Sequence, residues 1–111
     1  MKRIKIAPYG CYLHVTDNFS EWARVYKRLT GKVVQNDSAG LTYDHDNGHH
    51  YVGIFRGGLN TTVHELSHVC LYLADRVQLG DVTQEQEAFC YLIGHLTDEV
   101  LKRYPQLRGI S

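Results

Sequence analysis

Thr61-Thr62-Val63-His64-Glu65-Leu66-Ser67-His68-Val69-Cys70-Leu71-Tyr72-Leu73 decides how the rest of this chain is read. Its apolar positions, Val63, Leu66, Val69, Leu71 and Leu73, fit an amphipathic helix. Thr61 or Thr62 is placed to cap the start. His64 and His68 stand four apart, on one face and about 6 Å apart along the axis. Two imidazoles so placed can converge on one Zn²⁺ at roughly 2.0–2.1 Å. Glu65 stands one position on, about 100° round the helix, where it can flank a metal without binding it. That is the position of a general base toward water activated by a metal.

Working outward, Leu41–His45 and His50–Phe55 flank Asp46-Asn47-Gly48, a strong hairpin signal, and Gly57-Gly58 ends the second run. The segment 50–56 that enters the metal-type helix reads as an edge strand. Residues 3–7 and 11–15 read as strands broken at Pro8-Tyr9-Gly10, and 32–35 as a further short strand. Asp17 or Asn18 can cap a helix whose apolar face is Phe19, Trp22, Ala23, Tyr26 and Leu29, with Gly31 closing it. The His64–His68 helix is expected to reach about Gln78, closed by Gly80. Asp81 or Thr83 then starts a last helix that runs to Tyr104, where Pro105 forbids more; Thr83-Gln84-Glu85-Gln86 has capping-box form. Joined by so few residues, the two helices should pack antiparallel, which lets a side chain of the second approach a metal on the first. The expected architecture is α+β, a small, mostly antiparallel sheet with three helices.

The chain of 111 residues has room for one compact domain, 1–111. Twelve basic residues balance twelve acidic ones, so charge gives no reason to expect nucleic acid or an anionic membrane as partner. No run of about 18 apolar residues is present to span a membrane. The start, MKRIKIAPYGCYLHV, lacks the continuous apolar stretch of a signal peptide. Cys11, Cys70 and Cys90 are an odd, irregularly spaced set, which fits buried small hydrophobes in a reducing cytosol better than a disulfide framework.

Spacing alone leaves Glu85 and Glu87 both open as a third ligand. The run from Val63-His64-Glu65 to Glu87-Ala88-Phe89-Cys90-Tyr91-Leu92 resembles gluzincin metallopeptidases, and most closely the small metallopeptidases encoded by tailed phages and prophages. The resemblance covers roughly residues 40–103. It implies a minimal zincin-like domain holding one Zn²⁺ per chain through His64, His68 and Glu87, with Glu85 left as a capping or surface carboxylate. It also implies peptide-bond hydrolysis assisted by Glu65, a peptide or protein substrate, and the cytoplasm, that of the bacterial host if phage-encoded, as the place of action. One departure stands out. Thermolysin-like members carry an aspartate four residues after the ligand glutamate, and here that position is Tyr91, whose hydroxyl could orient a zinc histidine. Asp75 is another candidate for that task.

An oxyanion needs a second electrophile. Tyr51, His50, His49, Arg56 and His95 are the candidates. Asp44 to His50 could hold a second ion, although an Asn-Gly turn favours polar residues in any case. The strand leaving that turn could instead pair with an extended substrate. Two further readings compete. A peptide deformylase-like amidase would take Cys11, in Gly10-Cys11-Tyr12-Leu13, as third ligand, but that family's glycine-rich motif ending in glutamine is missing. A zinc-stabilised binding or regulatory module would have no use for Glu65.

Overall fold

The computed structural model describes residues 1–7, 9–35, 37–45, 47–77 and 82–109, the side chains of 76, 77 and 82–86 excepted. Its elements are β1 (Lys2–Ile6), β2 (Cys11–Thr16), α1 (Phe19–Thr30), β3 (Gly40–His45), β4 (His49–Ile54), α2 (Gly58–Val77), α3 (Val82–Arg103) and a closing 3-10 turn, Pro105–Arg108. The four strands form one sheet in the order β1-β2-β4-β3. The β1–β2 and β3–β4 pairs are antiparallel, as the two turn signals require, and the central β2–β4 pair is parallel. The fold is therefore α+β with a mixed sheet.

Alternation along the strands sorts the side chains onto two faces. Ile4, Ile6, Cys11, Leu13, Val15, Val52 and Ile54 point inward and are buried. They meet Leu66, Val69, Cys70 and Leu73 of α2, and Leu92, Leu96, Val100 and Leu101 of α3, in one core. The outer face carries Tyr12, His14, His49 and Tyr51, stacked ring on ring, with His14 and Tyr51 centroids 4.6 Å apart. There α1 lies across the sheet, anchored by Trp22 Nε1 donating to the Tyr51 carbonyl at 3.1 Å. Asn18, not Asp17, caps α1, its Oδ1 accepting from the Glu21 N–H at 2.9 Å. Gly31 closes the helix at φ +74°, as expected.

Several expectations need correction. Residues 32–35 form neither strand nor helix; Val33 is 78% exposed and pairs with no strand among the described residues, so its β propensity has nothing to act on. The edge strand beside α2 is β3, not the 50–56 segment, because β4 is covered on both sides by β2 and β3. Thr61 and Thr62 lie inside α2 rather than at its cap. Thr62 turns its hydroxyl back to the Gly58 carbonyl at 2.8 Å, an i−4 bond open to a threonine within a helix. The last helix stops at Arg103, since the residue before Pro105 is steered out of helical conformation. Gln78, Gly80 and Asp81 lie outside the described residues, as do the side chains of Thr83 to Gln86. Among the described residues no helix is long and apolar enough to cross a membrane.

Candidate metal centre

The edge strand β3 and helix α2 lie against each other closely enough that Gly40 has no room for a side chain. A Cβ there would stand 2.8 Å from both Glu65 Cγ and Thr61 Cγ2. Two residues along β3, the Thr42 hydroxyl lies 2.7 Å from Glu65 Oε1 and 3.3 Å from the Glu65 carbonyl. A hydroxyl has one proton to give, and the shorter, charge-assisted contact takes it. Glu65 is thus drawn inward against β3 and is only 6% exposed.

His64 and His68 stay exposed on the same side of the helix, their rings edge to face with centroids 4.9 Å apart. His64 Nε2 lies 3.9 Å from Glu65 Oε2, the carboxylate oxygen that Thr42 leaves free. These groups and Asp44 line one groove of about 350 Å³ between β3 and α2. It continues past Gly40 into a second hollow bounded by Ser38, Ala39, Asn60 and Thr61, so an open channel follows the edge strand. The structure therefore brings His64, Glu65 and His68 together as the helix spacing requires.

Other candidates fall elsewhere. Tyr51 and His49 belong to the outer face, where His49 Nδ1 meets His14 Nε2 at 2.7 Å, and they are separated from the groove by the sheet. Arg56 donates to the Asp37 carbonyl at 2.8 Å on the surface. His50 is fully buried behind the groove, its Nδ1 donating to Asp44 Oδ1 at 2.6 Å and its ring edge-on to Tyr72. Cys11 is buried among the sheet's inner residues, and Asp75 is exposed.

Glu87 lines a different groove, of about 590 Å³, with Tyr9, Tyr91 and His95. The reason is helical length. Nine residues of α2 follow His68, whereas Glu87 is only five residues into α3. Leu73 and Ala74 share a small cavity with Ala88 and Phe89, which joins the end of α2 to the start of α3 as in an antiparallel pair. With those pairs level, Glu87 stands six to seven residues past His68 along the axis, ~10 Å at 1.5 Å per residue. Tyr91 is 81% exposed and orients no histidine of α2 here. Among the described residues no three of His, Cys, Asp or Glu stand together as a ready metal cage; the Glu85 side chain lies outside them.

The chain matches no known protein-family model, no curated protein and no solved structure. The site must be read from its own geometry. Two imidazoles one helical turn apart, with carboxylates in the same groove, are the N and O donors that zinc takes, and so far they fit that ion. Sequence reasoning missed Thr42 and considered Asp44 only for a second ion at the hairpin, away from the helix histidines. Their alternation with Tyr43 and His45 was visible, but which face of β3 would front α2 was not.

Proposed function

We propose that this protein is a zinc-dependent metallopeptidase of gluzincin type, with His64 and His68 supplying two ligands and Glu87 the third. The observation that supports it best is Glu65: a nearly buried carboxylate, oriented by Thr42, with its free oxygen beside His64 at the wall of an open groove. A structural metal site gives no reason to bury and orient a carboxylate there. Zinc held by these residues would supply a Lewis acid that polarises the scissile carbonyl and acidifies water.

The chain's own groups do the rest. Glu65 Oε2 accepts a proton from water and returns it to the leaving amine, while Thr42 keeps Oε1 engaged so that one oxygen faces the reaction. The open side of β3 offers backbone N–H and C=O groups to an extended peptide, which fits a short flexible segment as substrate. Glu87 would complete the ligand set only in a metal-loaded form whose local structure differs from this one, metal binding and folding being coupled in such sites. The place of action on this reading is the cytoplasm, as for the phage-type enzymes the chain resembles.

Zinc content and peptide cleavage, followed by mass spectrometry for the parent and Glu65→Gln, test this. One zinc per chain in both, with cleavage only in the parent, is the expected result. Absence of zinc from the parent, or cleavage that survives Glu65→Gln, would overturn it. One observation favours a second reading, a zinc-stabilised binding module: the described side chains lining the groove with Asp44 offer no donor besides the two zinc histidines and Thr42. Such a module would keep its partner in Glu65→Gln. Cys11, buried in the core, lends nothing to a deformylase-type site.

A further inference from the structure

β3 and α2 run side by side in step. Two residues of strand advance ~6.6 Å and four residues of helix ~6 Å, so contacts between them repeat almost in register. The first rung is Gly40 against Thr61. The second is Thr42 against Glu65. The same step carries Asp44 toward the level of Val69 and its neighbour His68, with no hydrogen bond or ion pair joining Asp44 to His68 in this structure. Val69 is buried in the core, whereas His68 fronts the groove that Asp44 also lines.

Asp44 does not stand there by itself. His50, its cross-strand neighbour on β4, is fully buried and donates from Nδ1 to Asp44 Oδ1 at 2.6 Å. Its Nε2 has no partner among the described residues. An unpartnered buried polar atom is destabilising, a cost that an apolar residue in the same place would avoid. The arrangement makes sense if the Nδ1 contact is what matters: a rigid, enclosed imidazole fixing a carboxylate that is itself 20% exposed toward the groove.

We propose that Asp44, fixed by His50, is the positioning carboxylate of His68. With the ion bound, Asp44 would accept from the His68 ring nitrogen left free by the metal, setting the tautomer and aim of that imidazole. This rests on the metallopeptidase reading for the metal and adds a role for Asp44 and His50 that the helix motif does not contain. Partners of this kind typically contribute 10–100-fold to metal affinity without binding the ion.

The test is zinc affinity by chelator competition on the full chain, with the visible spectrum of the cobalt-substituted protein as a second readout. The parent is compared with Asp44→Asn, Asp44→Glu and His68→Ala. Asp44→Asn should weaken zinc ~10–100-fold, keep one ion per chain, alter the cobalt spectrum and leave metal-free thermal unfolding in place. Asp44→Glu, which restores the charge, should recover part of the loss. If Asp44→Asn fails to fold, Asp44→Ser repeats the comparison. Parent-like affinity and spectrum in the Asn or Ser variant would overturn the proposal. So would loss as complete as in His68→Ala, which would make Asp44 a ligand. A parent that binds no zinc would bring down the metallopeptidase reading itself, and this inference with it.

Discussion

Thr42 and Glu65 are joined across the β3–α2 boundary by a 2.7 Å hydrogen bond from the threonine hydroxyl to Oε1. One oxygen of a nearly buried carboxylate is thereby occupied and the other is turned toward His64. The orientation of the Glu65 carboxylate is thus decided by an edge strand as well as by the helix that carries it.

Thr42→Val keeps the branched shape and removes the donor. A charged acceptor left without it should cost about 1.5–3 kcal/mol, read as a lowered midpoint in urea unfolding. In a Glu65→Leu background the same change should cost little, because no buried carboxylate remains to be satisfied. An equal loss in both backgrounds would mean that Thr42 acts by packing alone.

Gly40→Ala tests the closeness of strand and helix. Its Cβ would stand 2.8 Å from Thr61 Cγ2, Glu65 Cγ and the Gly53 carbonyl, so backbone as well as side chains must give. Overpacking of this kind should cost about 1–3 kcal/mol and weaken zinc binding by spreading β3 from α2. Unchanged stability would show that the helix can slide away freely.

His14 supplies a pH dependence. Burial first, then the neighbouring charges of His49 and Arg3, lower its pKa from the ordinary 6.5 to about 4. Between those values the unfolded chain binds a proton at this position that the folded one refuses. Stability from this group is therefore full above about pH 6.5 and is lost as pH falls toward 4. His14→Gln should flatten that part of the profile, measured by chemical denaturation across the range; an unaltered slope would refute the assignment.

Metal content separates the possible third ligands. Zinc should be lost or weakened in Glu87→Ala, and retained in both Glu85→Ala and Cys11→Ser. Retention in Glu87→Ala would leave the carboxylate already in the groove, Asp44, as the next to examine.

The chain by itself determined its local features. The 3.6-residue period placed His64 and His68 on one exposed face of the helix with Glu65 turned about 100° from it, and the Asn47-Gly48 turn built the hairpin; both are short-range consequences of backbone geometry. The α+β class followed from the same local signals. Tertiary structure alone decided which strand became the edge, because strand order depends on contacts between distant segments that no local pattern records. It put Tyr51 on the far face and Thr42 and Asp44 on the near one, although both sets alternate alike in sequence. It also set Glu87 in its own groove, because separation along the chain counts residues whereas two antiparallel helices meet by axial level. Side-chain period is local and legible in sequence; the choice of neighbour belongs to the packed core.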